Sequence, residues 1–135
     1  MPPTPGTETI LVVDDEIVIL SLARLMLMRY GYSVLVAQGG RQVLDMLSNG
    51  SKPKIDLAMV DIVMPGMTGF EVAEEIRKIY PDIPVLFISG AKEVPELNAA
   101  LNHGIPYLAK PFTSISMVGK IREMLDGNDT ISEDR

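Results

Sequence analysis

The chain is 135 residues long and 47% of its residues are hydrophobic, as expected for a single globular domain with one sizeable core. Its formal net charge of −6 and its lack of a basic run argue against direct binding of nucleic acid or of an anionic membrane surface. The absence of cysteine excludes disulfides and thiolate metal sites, and because the sequence shows neither a signal peptide nor an apolar run long enough to span a bilayer, we expect a cytoplasmic protein.

Strand-like and helix-like segments alternate along the chain. Residues 1–8 are rich in proline, threonine and glycine and are predicted to form a flexible arm or linker. Residues 127–135 are predicted to form a disordered tail, which leaves one domain over 9–126. The predicted strands lie near 10–14, 33–37, 55–61, 85–89 and 107–109. The predicted helices lie near 16–30, 41–47, 70–79, 95–102 and 114–125.

This alternation predicts right-handed β-α-β units and a mostly parallel sheet with helices on both faces. The predicted strands are continuous runs of Val, Ile and Leu, as a sheet that is buried on both faces requires. In open sheets of this kind, functional residues lie at the carboxyl ends of the strands, where the strand order reverses. The sequence therefore predicts a site at the strand ends.

Chemically related residues follow four of the predicted strands. Asp14 and Asp15 follow the first strand, and Asp61 ends the third. Two carboxylates about 4 Å apart repel each other by roughly 4 kcal/mol at an effective dielectric constant near 20, so such a cluster usually persists only where a hard divalent cation offsets the repulsion. Ser89 ends the fourth strand and Lys110 follows the fifth. Three carboxylates, a metal ion and a lysine suggest phosphoryl chemistry.

Each of these residues also has an ordinary structural interpretation. Asp14 alone could cap the first helix, a position that favours aspartate. Ser89 alone could be a turn residue at a strand end, and Tyr107 alone could be a half-buried strand aromatic. His103 is a lone histidine beside Gly104, and without a second ligand or base we expect it to be an ordinary surface residue.

Four stretches of the chain carry a resemblance to a known family. They are LVVDDE (11–16), MVDIVMPGMTGFE (59–71), LFISGA (86–91) and YLAKPF (107–112). Through them the core, from about residue 10 to residue 125, resembles the receiver domain of two-component response regulators. The resemblance implies a flavodoxin-like α/β fold, with a doubly wound five-stranded parallel sheet in the order 2-1-3-4-5 and five helices.

The resemblance implies that Asp61 accepts a phosphoryl group from a phosphohistidine in a Mg²⁺-dependent reaction. Asp14 and Asp15 would bind the metal together with Asp61 and the backbone carbonyl of Val63, with Asp14 acting through a bound water. Mn²⁺ or Ca²⁺ would be substitutes for Mg²⁺. Such a domain is not an enzyme acting on other molecules, because it catalyses only its own phosphorylation and dephosphorylation.

The resemblance also assigns the groups that respond to the phosphoryl group. Ser89 and Lys110 are implied to bind it, and Ser89 and Tyr107 are implied to form a conformational switch. The bond between Lys110 and Pro111 is a candidate cis peptide, since X-Pro bonds adopt that form at modest cost.

The first predicted helix carries a second signal. At helical spacing, one face is predicted to cover the sheet; its members are Ile19, Leu22, Ala23, Met26 and Tyr30. The outward side carries Ile17, Leu20, Leu25 and Met28. A contiguous exposed apolar patch indicates a partner site, whereas scattered exposed apolar residues are ordinary. The resemblance implies that this helix docks a histidine kinase or a histidine phosphotransfer domain, and a weak homodimer is an open alternative.

Two other functions use similar ingredients. A haloacid-dehalogenase-like phosphatase also has an aspartate nucleophile and magnesium, but it needs a second aspartate two residues later, where this chain has Val63. A flavodoxin-type flavin carrier needs a first loop that cradles a phosphate on backbone N–H groups. Here that loop is Asp14-Asp15-Glu16, which would repel a phosphate.

The sequence does not reveal what the phosphorylation controls. No output domain is visible after residue 125, so the chain is either a stand-alone single-domain response regulator or a receiver from a larger protein. The arm followed by ETILVVDDE (8–16) resembles the junction before the C-terminal receiver of hybrid sensor histidine kinases, and we expect this origin over the stand-alone one.

Overall fold

The structure is a computed structural model that describes residues 6–48, 50, 52–90 and 105–127. Within these residues there are five strands: β1 Thr9–Val13, β2 Ser33–Ala37, β3 Leu57–Asp61, β4 Val85–Ser89 and β5 Tyr107–Ala109. The helices in the described ranges are α1 Ile17–Arg29, α2 Gly40–Leu47, α3 Gly69–Ile79 and α4 Ser114–Asp126. The helix predicted at 95–102 and His103 lie outside the described residues.

The strands form one parallel sheet in the order β2-β1-β3-β4-β5. This is the predicted order, so the prediction of a flavodoxin-like doubly wound fold is confirmed. The chain runs outward from β1 to β2 and then returns to β3, which makes the gap between β1 and β3 the point where the order reverses. Because Val13 pairs with Val60, the next residues, Asp14 and Asp61, lie level with each other at this point.

Side chains of the central strands alternate between two apolar cores. Leu11 and Val13 of β1 pack with residues of α2 and α3, whereas Ile10 and Val12 pack with residues of α1 and α4. All four side chains are fully buried. Burial on both faces explains why the strands are continuously apolar rather than alternating.

Hydrogen-bonded caps fix where two helices begin. At α3, Thr68 Oγ1 accepts a hydrogen bond from the Glu71 backbone N–H, and the Glu71 carboxylate accepts one from the Thr68 N–H. Thr113 and Ser116 form the same reciprocal arrangement at α4. Each such cap contributes about 1 kcal/mol. Since α3 follows the loop after Asp61, the first cap also holds that loop in place.

The sequence prediction of a flexible arm through residue 8 is wrong for its last three residues. Gly6 donates its N–H to the carbonyl of Tyr30 (2.9 Å), and the carbonyl of Glu8 accepts from the N–H of Ser33 (3.0 Å). The guanidinium of Arg122, on α4, donates to both carboxylate oxygens of Glu8 at 3.0 and 2.9 Å. These contacts join residues far apart in the sequence, which is why composition alone assigns the segment to an arm.

The third strand is shorter than predicted, because it begins at Leu57 rather than at residue 55. Asp56 instead binds the start of β1: its N–H donates to the carbonyl of Thr9, and its carboxylate accepts from the N–H of Thr9, both at 2.8 Å.

None of the helices in the described part of the chain combines the length and the apolar character needed to cross a membrane.

Candidate functional site

Three carboxylates meet at the carboxyl edge of the sheet. One oxygen from each of Asp14, Asp15 and Asp61 lies within 4.8 Å of the other two. Asp14, directly after β1, and Asp61, at the end of β3, are buried, whereas Asp15 is exposed. The structure therefore brings together the three acidic side chains that the sequence assigns to a metal site, in an arrangement that suits a hard cation with oxygen ligands.

Lys110 supplies the positive charge of the site. Its Nζ lies 2.9 Å from Asp14 Oδ2, 2.9 Å from Glu16 Oε1 and 3.4 Å from Asp61 Oδ2. Its backbone N–H donates to the carbonyl of Ser89 (2.9 Å), which fixes the lysine beside the end of β4, and its bond to Pro111 is cis. One positive charge thus lies among three negatively charged carboxylates, so the site keeps a net negative charge.

Asp14 uses its two oxygens differently. Oδ1 accepts the backbone N–H of Glu16 at 2.9 Å, which shapes the turn from β1 into α1. Glu16 occupies the N-cap position of α1, so the interpretation of Asp14 as a helix cap is wrong. Oδ2 is buried and accepts no hydrogen bond from the described residues, although Lys110 Nζ lies at ion-pair distance. A metal-bound water would supply the hydrogen bond that this oxygen lacks, so the residues present fit a metal ion.

The uncompensated charge alters the acid–base behaviour of the site. The pKa of Asp61 is raised to about 6, first by burial and then by the negative charge of Asp14, while Lys110 opposes the rise. Burial alone would lower the pKa of Lys110, but hydrogen bonding to Glu16 and the contact with Asp14 outweigh it, so this pKa lies above its ordinary value. Near pH 7, Asp61 is mainly a carboxylate and Lys110 an ammonium.

Two glycines allow the close packing around Asp61. A Cβ on Gly69 would overlap the carbonyl oxygen of Asp61, so a side chain there would push α3 away from the end of β3. A Cβ on Gly90 would come within 3.0 Å of the Cδ of Lys110. The sequence indicates a tight loop at Gly69, whereas Gly90 and the Glu16–Lys110 pair give no local signal.

An open cavity of about 580 Å³ lies over the carboxylates. It is lined by Asp15, Glu16, Ile19, Asp61, Val63, Gly90, Lys110 and Pro111. Its volume is in the range of small-ligand sites. Access to Asp61 is therefore from solvent through this opening.

Comparison with known proteins identifies the family. The model of the response regulator receiver domain matches residues 10–122. The chain belongs to this family. It is thus a response regulator receiver domain.

Curated relatives of this receiver domain are longer proteins. The response regulator MprA of Mycolicibacterium vanbaalenii is 36% identical over 117 residues, which cover 86% of this chain and 49% of that protein. The uncharacterized transcriptional regulatory protein YbdJ of Bacillus subtilis is 32% identical over 117 residues, with 87% and 50% coverage. The receiver domain spans about half the length of these relatives.

Solved structures of similar proteins share the fold. A CheY-like response regulator receiver domain protein from Methanospirillum hungatei superposes with a TM-score of 0.77 at 29% identity, covering 93% of this chain and 99% of that one. The response regulator TrrA of Thermotoga maritima, solved in complex with Mg²⁺ and BeF, gives a TM-score of 0.70 at 31% identity, with 87% and 98% coverage.

The two residues assigned to the switch lie on neighbouring strands of the receiver domain. Ser89 ends β4 and is buried, whereas Tyr107 begins β5 and is exposed. The register pairs Ser89 with Ala109 and Tyr107 with Phe87. Residues 91–104, which connect the two strands, lie outside the described part, so coupling between Ser89 and Tyr107 stays a prediction.

The outer side of α1 carries exposed apolar side chains, but not the set predicted. We define the α1 patch by its exposed members, Ile17, Val18, Leu22, Leu25 and Met28. It begins immediately after Glu16, at the rim of the cavity. Contiguous apolar surface of this kind favours a partner site.

Two assignments on α1 are therefore wrong. Leu20, predicted to lie in the exposed patch, is only 5% exposed and belongs to the core, whereas Leu22, predicted to face the sheet, is 45% exposed. The buried face is instead formed by Leu20, Ala23 and Leu27. Nearly every position of α1 is apolar, so helical periodicity does not define which face packs against the sheet.

Proposed function

We propose that this receiver domain accepts a phosphoryl group on Asp61 from a phosphohistidine, in a Mg²⁺-dependent reaction. The observation that carries the proposal is the position of Asp61: a buried carboxylate at the switch point, 3.4 Å from Lys110 Nζ and beside two further carboxylates. Membership of the receiver family supports the same role.

In the transfer, a carboxylate oxygen of Asp61 attacks the phosphorus atom of the donor. An O–P bond forms while the N–P bond to the imidazole breaks, and the electron pair of that bond stays on the imidazole nitrogen. Without a metal ion, burial and the charge of Asp14 raise the pKa of Asp61 to about 6, which still leaves it mainly ionised near pH 7. The ionised carboxylate is the form that can attack.

The reacting groups are both negative, so the site must supply positive charge. Mg²⁺ held by Asp14, Asp15, Asp61 and the Val63 carbonyl would neutralise charge that develops on the transferred oxygens. Mn²⁺ or Ca²⁺ would be substitutes, and the Mg²⁺ and BeF complex of TrrA supports this choice of ion. Lys110 would donate a hydrogen bond to a phosphoryl oxygen.

After transfer, the Ser89 hydroxyl would donate a hydrogen bond to another phosphoryl oxygen. This contact exists only in the phosphorylated state, so it biases the domain toward a second conformation. We assign Tyr107 to the same two-state element because its strand is hydrogen-bonded to β4.

For the phosphoryl donor, we assign the α1 patch as the docking surface of a histidine kinase or histidine phosphotransfer domain. Interface energy concentrates in a few apolar anchors, so changing Ile17 and Met28 to Ser should slow transfer from the histidine protein about tenfold, roughly 1.4 kcal/mol. Acetyl phosphate needs no docking and should react at nearly the wild-type rate. Equal slowing with both donors would place the damage in the pocket, and no slowing would place the docking surface elsewhere.

The proposal that the chain is the C-terminal receiver of a hybrid sensor histidine kinase rests on the junction-like sequence ETILVVDDE (8–16). The alternative, a response regulator in its own right, is supported by the relatives, which carry names of regulators and match over about half of their length. The complete reading frame of the gene distinguishes these two origins.

Intact mass after acetyl phosphate treatment tests the phosphoacceptor. We expect the wild type to gain one base-labile phosphoryl group in Mg²⁺ and almost none in chelator, and Asp61→Asn to gain none. Asp45→Asn is the matched control, because Asp45 is an exposed aspartate on α2 that forms an ion pair with Arg41. Phosphorylation of Asp61→Asn to the wild-type extent would show that the acceptor lies elsewhere.

A further inference from the structure

The two edge strands of the sheet differ in how well they are protected from pairing with another strand. β5 is only three residues long, Pro106 precedes it, and Lys110 and Pro111 follow it. A short edge strand, a charge and a proline each hinder the addition of a further strand. β2, at the opposite edge, is five residues long, and the sequence from residue 30 to residue 40 contains no charged residue and no proline. The edge formed by β2 is therefore open to pairing.

The outward backbone groups of β2 belong to two valines. Ser33 donates its N–H to the carbonyl just before β1 (3.0 Å), and the carbonyl of Ala37 accepts from the N–H just after β1 (3.1 Å). Alternate residues of β2, starting at Ser33, therefore bond to β1. Val34 and Val36 direct their N–H and C=O groups away from the sheet, where no strand in the described part of the chain pairs with them.

The free part of this edge is short, because the chain itself pairs the outward N–H groups on either side of the two valines. The N–H of Tyr32 donates to the carbonyl of Leu27 at 3.2 Å. The N–H of Gln38 donates to the side-chain oxygen of Gln42 at 2.8 Å. A strand that adds to β2 must therefore match the groups of the two valines, which fixes its register.

These groups are self-complementary about Leu35. When a second β2 runs antiparallel with its own Leu35 opposite this one, Val34 of each copy lies opposite Val36 of the other. Residues opposite each other in this way exchange N–H···O=C hydrogen bonds in both directions. The free groups of both copies then all have partners, as a two-fold interface requires.

The side chains of the strand suit the same arrangement. Val34 packs against the core on the α1 face, and Val36 lies on that face too, 37% exposed beside an open groove of about 250 Å³ between β2 and α1. Valines opposite each other on one face of an antiparallel pair contact directly. Arg24, the charged residue that lines the groove, is exposed, so its charge can stay in water. Pairing would cover the exposed valine without burying a charge.

We propose that β2 is a dimerisation surface, on which a second copy of this domain pairs antiparallel about Leu35 to form one sheet that continues across the two-fold axis. The occupant is a second copy because this register satisfies the edges of both partners at once. The contact is small, so the dimer should be weak, with a dissociation constant on the order of 100 µM. The surface is separate from the phosphoacceptor site, so the inference does not depend on the function proposed above.

Exchange of backbone amides with water tests the register. It is followed by nitrogen-15 NMR on the wild-type chain at about 20 µM and about 1 mM. With this affinity, mass action should make the Val34 and Val36 amides exchange about fourfold more slowly at the higher concentration. The Leu35 amide is the internal control, because it already bonds to β1 and should exchange equally at both concentrations. Unchanged exchange at the two valines, or equal slowing at all three residues, would overturn the proposal.

Sedimentation equilibrium of two variants tests the surface. Val36→Lys places a charge on the open edge and should weaken the dimer at least about tenfold. Val18→Lys is the matched control, because Val18 is an exposed valine of α1 that does not line the groove; it should leave the dimer unchanged. Thermal unfolding shows whether both variants are folded.

Two results of the sedimentation experiment would contradict the proposal. One is a wild type that stays monomeric at about 1 mM or assembles beyond a dimer. The other is an effect of Val18→Lys that equals or exceeds that of Val36→Lys, because a larger effect there would place the interface on the α1 patch.

Discussion

The described part of the domain has two clusters in which a cation lies among several carboxylates, one at the amino ends of the strands and one at their carboxyl ends. At the amino edge, Arg122 contacts Glu8, Tyr32 and Asp126, and each of its three side-chain nitrogens donates at least one hydrogen bond. At the carboxyl edge, one lysine faces three carboxylates, and Asp14 Oδ2 accepts no hydrogen bond from the described residues. The hydrogen-bonding groups of the first cluster are therefore all paired, whereas those of the second are not. We call them the saturated cluster and the unsaturated cluster.

The pKa values of the two clusters move in opposite directions. Hydrogen bonding to Arg122 lowers the pKa of Glu8 to about 2, whereas burial and the charge of Asp14 raise that of Asp61 to about 6. The folded state therefore favours the charged form of Glu8 and disfavours that of Asp61. A cluster whose charge is left uncompensated within the chain is a candidate for binding something else, and a compensated cluster is a candidate for stability alone.

The largest effect should come from breaking the saturated cluster. Arg122→Met removes the partner of the Glu8 carboxylate, which is only 26% exposed, and should cost about 3 kcal/mol of unfolding free energy. For a domain of this size that corresponds to a fall in melting temperature of roughly 10 °C. Urea and thermal unfolding in chelator measure it.

Arg122→Lys is the matched control for this variant. It keeps the charge but loses the planar fork that reaches three partners, so an intermediate loss is expected. A stability of Arg122→Met within about 0.5 kcal/mol of wild type, the usual range for surface changes, would contradict a structural role for the cluster.

Removing a charge from the unsaturated cluster should raise the free energy of unfolding instead of lowering it. In chelator near pH 7.5, Asp61→Asn should raise the unfolding free energy by roughly 2 kcal/mol, because it removes a buried charge whose pKa is about 6 rather than 3.8. The raised pKa means that wild type loses stability as pH rises through about 6. The advantage of the variant should therefore shrink as pH falls below 6 and vanish near 3.8.

The gain in Asp61→Asn is compared with Asp45→Asn, which changes an exposed aspartate and should leave stability nearly unchanged. Adding Mg²⁺ at ten times its dissociation constant should then stabilise wild type by about 1.4 kcal/mol through mass action, and should fail to stabilise Asp61→Asn as much. A lower stability for Asp61→Asn at pH 7.5 would mean that the carboxylate cluster is not strained.

The unsaturated cluster could be predicted from sequence because its residues follow apolar strands. Asp14, Asp61 and Ser89 each end or follow a run of buried side chains, and a parallel sheet necessarily brings such ends to one edge. Strand position and residue type therefore predict that the acidic residues meet at one edge of a parallel sheet, whereas the strand order 2-1-3-4-5 is implied only by the resemblance to receiver domains.

The remaining features depend on contacts between distant segments. Glu8 and Arg122 are 114 positions apart, and Glu16 and Lys110 are 94 apart, so neither pair has a periodicity or a motif. The prediction of which face of α1 packs against the sheet was also wrong at Leu20. Almost every residue of this helix is apolar, so the buried face is decided by how the side chains fit together and not by the hydrophobic pattern. The sequence therefore predicts the acidic residues of the site but not the ion pairs between distant segments.

The smallest effect should come from Glu8 itself. Glu8→Gln keeps a hydrogen-bond acceptor for Arg122 but removes the charge, so it should cost only about 1 kcal/mol near pH 7, allowing for partial exposure. Because the folded-state pKa of Glu8 is lowered from 4.5 to about 2, the stabilisation is complete above 4.5 and is lost as pH falls toward 2. Unfolding in urea at pH 7, 4 and 3 should show the cost of the variant shrinking. Glu8→Gln and Asp61→Asn should then differ from wild type with opposite signs at neutral pH and both approach it in acid. A shared sign at neutral pH would mean that the two edges of the sheet are not compensated differently after all.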